Sequence, residues 1–238
     1  ILKIDIINKE KTIVASNMVS FTRTNIKSDL DQWKAIETTD EVSFLQPMSE
    51  GEIDYALRAT SPIIYEPMKS SLDYILQDAP LDAKKAYLLK FWTDKHKNNT
   101  EMHFRKYLEF AKAVDIKYNS NVGYGFETDR GYIFLRYGKP NNVLSIDQEP
   151  DAYPYEIWYY DKMQETSQMN VRFIFYNQSL VHNDYALLHS TCRVERQNPA
   201  WEIELYRRGL DGQNARIVEE TEVGAGWNRM ARQYFNDF

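Results

Sequence analysis

The sequence predicts an α+β fold: a helical hairpin packed on a roughly four-stranded antiparallel sheet, preceded by the end of an N-terminal β-domain. Three observations predict it. Apolar residues recur at helical spacing between 82 and 118. The period then changes to two, in aromatic runs separated by turn residues, up to about residue 189. Alternation also opens the chain, at Leu2, Ile4 and Ile6.

The elements follow in order. Residues 1–26 read as the last strands of a β-domain: an alternating run at Ile1–Asn8, then Thr12–Ala15 and Met18–Thr22, with a turn over Asn8–Lys11. Two or three strands are not stable alone, so we expect them to complete a domain begun upstream or to pair with another chain. Residues 27–78 read as a helical connector broken by Pro47, Pro62 and Pro67. Within it, Ser49-Glu50-Gly51-Glu52 has capping-box spacing, and Met68–Gln77 reads as one short helix. Residues 79–200 form the main α+β domain. Its first helix, Asp82–Lys95, carries Ala86, Leu88, Leu89, Phe91 and Trp92. The second, capped at Thr100 and ending near Tyr118, carries Phe104, Tyr107, Leu108, Ala111 and Val114. Four strands are predicted, at Tyr132–Tyr137, Tyr155–Tyr160, Val171–Tyr176 and Asp184–His189, the first ended by Gly138-Lys139-Pro140. Residues 201–238 read as a helical tail, with Asn198-Pro199 at the start of one helix and a short helix near Trp227–Phe235.

Composition excludes several classes. The chain has 238 residues and a net charge of −6, which argues against a nucleic-acid binder, whose domains carry a basic excess. Mean hydropathy is −0.60, and no apolar run approaches the roughly 18 residues that span a bilayer. A single cysteine, Cys192, excludes an internal disulfide framework and a Cys-rich zinc site.

One segment is more specific. Gly123-Tyr124-Gly125-Phe126-Glu127-Thr128-Asp129-Arg130-Gly131 lies between the long helix and the first predicted strand. Phe91-Trp92 with Asp94 precedes it; Tyr137-Gly138-Lys139-Pro140 and Tyr155-Glu156-Ile157-Trp158-Tyr159-Tyr160 follow it. This ordered set, over about residues 79–190, resembles the GWxTD-domain family of bacterial cell-envelope proteins common in Bacteroidetes. Phe126 stands where the naming Trp of that motif would be. The resemblance implies an exported protein with a β-domain before the motif, consistent with the opening strands. It implies no catalytic residue. It places this chain in the cell envelope, periplasmic or outer-membrane-associated, with a lipoprotein anchor as one expectation.

The motif residues read first as structure. Gly125 and Gly131 would supply unusual backbone angles. Thr128 and Asp129 would fix a turn. Arg130 would bridge Asp129 or Asp94 to backbone carbonyls, and Phe126 would fill the gap between helix and sheet. Trp92, Gly138 and Pro140 belong to the same structural set.

Other chemistry is sparse. The four histidines, His96, His103, His182 and His189, have no metal-site spacing, and neither a metal nor a cofactor is expected. Neither a nucleophile elbow nor a phosphate-binding loop occurs. Asp147, Glu149, Asp151, Asp161 and Glu165 form an acidic stretch with Glu127, Asp129 and Glu156 nearby. Paired-acid catalysis would need two of these at a fixed separation. The aromatic strands have two apolar faces each. Phe134, Arg136, Trp158, Tyr160, Arg172 and Tyr176 are the candidate binding face, since one face is left for the C-terminal segment, an upstream domain, a protein partner or a glycan to cover.

These readings lead to an expectation of a non-enzymatic envelope scaffold or accessory subunit. Outer-membrane protein assembly, secretion or gliding machinery is the expected setting, with an outer-membrane component as partner. The competing expectation is a glycan-binding module or glycan-active enzyme built on Trp158, Tyr160 and neighbouring carboxylates.

Overall fold

A computed structural model describes residues 2–7, 13–19, 44–120, 123–206 and 229–237. The chain divides into two compact units, residues 1–57 with 65–98, and residues 58–64 with 99–238.

In the first unit, β1 (Leu2–Ile7) pairs antiparallel with β2 (Ile13–Val19), with an irregularity at Ile6/Ile7. The strands expected at Thr12–Ala15 and Met18–Thr22 are thus one strand as far as Val19; Thr12 and Ser20–Thr22 lie outside the described residues. Helix α1 (Glu50–Thr60) opens with the expected capping box. The Ser49 backbone N–H donates to Glu52 Oε2 at 2.8 Å, and the Glu52 N–H donates to Ser49 Oγ at 3.4 Å. The end of α1 and the 3-10 turn Ser61–Ile63, which holds Pro62, fall in the second unit; in the first, the 3-10 turn Glu66–Met68, which holds Pro67, leads into α2 (Lys69–Asp78) and α3 (Leu81–Lys95). Lys84 on α3 is buried and paired with Asp54 at 2.8 Å and Glu50 at 3.2 Å on α1. The Asp54 hydrogen bond raises its ammonium pKa against the opposing effect of burial.

The second unit holds the sheet. Helix α4 (Thr100–Tyr118) begins at Asn99, whose φ of 58° lets it turn the chain; Thr100 is the first helical residue rather than the cap. Helix α5 (Asp129–Tyr137) occupies the place predicted for the first strand. The sheet is β3 (Asn142–Ile146), β4 (Tyr155–Met163), β5 (Gln168–Tyr176) and β6 (Ala186–Ser190), in sequential antiparallel order. The meander has four strands, as expected, but its first strand follows the Gly-Lys-Pro turn instead of preceding it. Among the described residues of the tail lie two short helices, α6 (Trp201–Leu205) and α7 (Ala231–Asp237).

The physical reason for the helix at 129–137 lies at its ends. Tyr132–Tyr137 is rich in strand-forming types, but Thr128 caps the helix by accepting from the Gly131 N–H at 3.1 Å. At the other end Gly138, with φ 83°, donates to Phe134 O and turns the chain out. Buried Arg130, Ile133, Phe134 and Leu135 lie on the inward side.

Both faces of the sheet are covered from within this unit. On one face, Trp158, Tyr160, Phe173 and Phe175 lie under α4 and α5: the Trp158 ring is 5.7 Å from Tyr118 and 6.1 Å from Phe134. On the other, Tyr155, Ile157, Ile174 and Tyr176 pack with Trp201, Leu205, Tyr206, Ala231 and Phe235 of the C-terminal segment. The result is three layers, helices on either side of an antiparallel sheet. Of the predicted hairpin, only its second helix belongs to this unit.

Candidate functional site

The signature segment is built around a close meeting of three stretches of backbone. A 3-10 turn, Gly125–Glu127, packs against both α4 and α5. Glu127 closes it by accepting from the Tyr124 N–H at 3.1 Å, and Arg58 pairs with the same carboxylate at 3.3 Å. Asp115, near the end of α4, accepts from the Gly125 N–H at 2.5 Å.

Gly125 and Gly131 are needed for space, which corrects the expectation that they supply backbone angles. A Cβ on Gly125 would lie 2.2 Å from Asp115 O, and one on Gly131 only 1.9 Å from Gly125 O. The positive φ angles belong instead to Gly123 (72°) and Gly138 (83°). So three backbones, α4, the 3-10 turn and α5, meet at van der Waals distance. Phe126 sits in this junction, 1% exposed, with its ring stacked 5.1 Å from Tyr124.

The polar residues of the motif tie the junction to the sheet. Thr128 Oγ1 donates to Gly125 O at 2.7 Å while capping α5. Asp129 Oδ2 accepts from the Leu187 N–H on β6 at 2.6 Å. Arg130 is 4% exposed and pairs with Glu156 of β4 at 2.8 Å. Its other terminal nitrogen donates to Asn183 O and Oδ1, each at 3.0 Å, in the β5–β6 loop. Asn183 holds φ 62° there, and its side-chain amide donates to Asn119 O at 3.2 Å. The guanidinium stacks 4.1 Å from the Tyr185 ring and 5.3 Å from Tyr118. Glu156 also accepts from Trp158 Nε1 at 2.9 Å, which satisfies the buried indole. Burial, with the Glu156 charge adding and Arg130 opposing, raises the Tyr118 hydroxyl far above its ordinary range. Arg130 therefore bridges Glu156 and Asn183, not Asp129 or Asp94; Asp94 pairs with Lys90 at 2.8 Å.

A charge this deeply buried, with its partner also mostly buried, works as a clamp. Removing either partner would strand the other in a low-dielectric setting. What the arrangement does chemically is hold the N-terminus of α5 to α4, β4 and β6 at once.

The remaining candidates are placed as follows. Gly138 and Pro140 lie at the far end of α5, where Gly138 O accepts from the Tyr160 hydroxyl at 3.0 Å and Pro140 is buried. Trp92 is buried at the end of α3 in the other unit, stacked on His96 at 5.9 Å. The six residues of the expected binding face do not form a surface. Phe134, Trp158, Tyr160 and Tyr176 are core, with Trp158 and Tyr160 only 1% and 2% exposed, because helices cover them on one side and the C-terminal segment covers Tyr176 on the other. Arg136 lies 3.6 Å from Glu195, and Arg172 donates to Asn236 O at 3.1 Å, holding α7.

Among the described residues no group of three or more His, Cys, Asp or Glu could hold a metal. His189 is enclosed: its Nδ1 accepts from the Asn198 N–H at 2.9 Å, its ring lies 5.4 Å from Phe235, and burial lowers its pKa. Glu149 is committed to the Tyr155 and Tyr206 hydroxyls and the Met230 N–H. Sequence reading missed Asp115, Glu156, Asn183 and Tyr185 as parts of the junction. Glu156 carried a signal, a lone acid in an aromatic strand that must find a partner if buried. Asn183, in a loop, carried none.

Among the described residues no helix is long and apolar enough to cross a membrane. No curated protein and no solved structure shows a significant match to the chain. The family model for the GWxTD domain matches residues 58–207, well over half of the chain, and spans the junction and the whole sheet. The chain therefore belongs to the GWxTD domain family.

Proposed function

We propose that this protein is a non-enzymatic scaffold or accessory subunit of a larger assembly in the bacterial cell envelope. The setting is outer-membrane protein assembly, secretion or gliding machinery, and the partner is a protein of that assembly with an outer-membrane component. The observation supporting this reading is how the family signature is used. Thr128, Asp129 and Arg130 each direct their polar atoms at neighbouring backbone or side chains of the same unit. A motif used in this way preserves a shape, and a shape is what a subunit offers its neighbours. The rings of Trp158 and Tyr160 are closed to a sugar, so the reading of a glycan platform on them gains nothing from the geometry.

The test is a tagged pull-down from native membranes in mild detergent, with lysine cross-linking and mass spectrometry. The expected result is stoichiometric recovery with one envelope complex, with cross-links from exposed lysines such as Lys106, Lys112, Lys139 and Lys162. Recovery of the chain alone, or fractionation with the cytoplasm, would refute the proposal.

A further inference from the structure

The two edges of the four-stranded sheet are finished differently. Along β6, the Ser190 N–H donates to Arg196 O at 2.9 Å, Leu187 N–H to Asp129 at 2.6 Å, and Arg196 Nη1 to Leu187 O at 3.3 Å. That edge is closed by the chain itself. At the opposite edge, β3 is hydrogen-bonded to β4 only, among the described residues. Edge strands are ordinarily guarded by charge, proline or a bulge. The β3 sequence, Asn142-Val143-Leu144-Ser145-Ile146, has none of these. It also carries an apolar residue on each face. Val143 is 51% exposed on the side of Trp158, while Leu144 and Ile146 are half-buried against the core on the other side.

We propose that β3 is a self-association edge: two copies of this chain pair β3 to β3, antiparallel about a two-fold axis at Leu144, into one continuous sheet. Charge selects a second copy as the occupant. The exposed Lys139 precedes the strand and the exposed Asp147 follows it, with no charge between. In this register the N-terminal end of one β3, preceded by Lys139, lies beside the C-terminal end of the other, followed by Asp147. That opposite-charge proximity occurs twice by symmetry, and no like charges face each other within the strand. Val143 meets Ser145, and Leu144 meets its own counterpart beside Ile157, extending the apolar face already formed there. The two-fold contact uses the open edge of both copies, and β6 is closed, so the assembly stops at a dimer. The proposal does not depend on the accessory-subunit reading.

The test is sedimentation equilibrium on the full chain over about 1–500 μM, with amide exchange of β3 followed against concentration. The expected result is a concentration-dependent dimer with rising protection at 142–146. Lys139→Asp and Asp147→Lys should each weaken it by about tenfold, and the two together should restore it to within about threefold. A chain monomeric throughout overturns the proposal. So does a dimer indifferent to the single reversals, or one that the double reversal does not restore. Both residues are exposed, and an unchanged melting temperature shows that the variants fold.

Discussion

Gly131→Ala should destabilise the unit that carries α5, and the structure sets the scale. An ideal Cβ there lies 1.9 Å from Gly125 O and 2.8 Å from Gly125 C and Phe126 Cα, against an ordinary contact of 3.4–4 Å. The obstacle is backbone on both sides, so α5 must retreat by roughly 1.5 Å, beyond what close-packed interiors absorb freely. Retreat costs about 1–3 kcal/mol as overpacking and about 1 kcal/mol if the Thr128 cap is lost. Alanine's better helix propensity returns about 1 kcal/mol. The net expectation is a loss of about 2 kcal/mol. For a unit of this size that lowers the melting temperature by about 4–8 °C. The control is the same substitution at Gly51 in α1, where nothing lies within 4 Å of the added atom. That change should leave stability unchanged or raise it by up to about 1 kcal/mol. The assay is thermal unfolding by near-ultraviolet circular dichroism, with amide exchange assigning the transition to α5. Equal melting temperatures for Gly131→Ala and the wild type, within about one degree, would refute the argument from close approach.

The other predictions concern buried polar groups. Arg130→Met leaves Glu156 without its ion-pair partner and should cost about 3–5 kcal/mol. Glu156→Gln keeps an acceptor for Trp158, so the double variant should be better than the sum of the singles by at least about 1 kcal/mol; additivity within about 0.5 kcal/mol in urea titrations would count against a clamp. His189 is held neutral by burial, so its native pKa lies below the unfolded value of 6.5. Its contribution is fully present above that pH and declines as pH falls through 6.5 towards the native pKa, since the unfolded chain then binds the proton first. Melting temperatures of wild type and His189→Phe between pH 7.5 and 5 should therefore diverge in slope, the variant falling less steeply; parallel profiles would contradict the assignment.

Much of the architecture was legible because it depends on local rules. The helices at 81–95 and 100–118, the strands at 155–163 and 168–176, and the capping box at Ser49 follow from periodicity and cap chemistry. The error at 132–137 shows the limit of that approach. Its aromatic and β-branched residues read as a strand, yet the Thr128 cap and Gly138 stop were both present in the sequence and outweighed them. The candidate site was legible as a set of residues but not as a device. Arg130 was visible; Glu156 and Asn183, 26 and 53 residues away, were not assigned to it.

By itself the sequence determined the family, the α+β class, the exclusion of a disulfide framework and the positions of most elements. These are set by residue type and spacing within a few turns of chain. Tertiary structure alone decided why Gly125 and Gly131 are glycines, since the obstacle to a side chain is backbone 6–10 residues away. It also decided the fate of the aromatic sheet. Alternation shows that both faces of β4 and β5 are apolar, but only packing reveals that α4 and α5 cover one and the C-terminal segment the other. Burial is a property of what lies opposite, and a strand's own residues do not encode it.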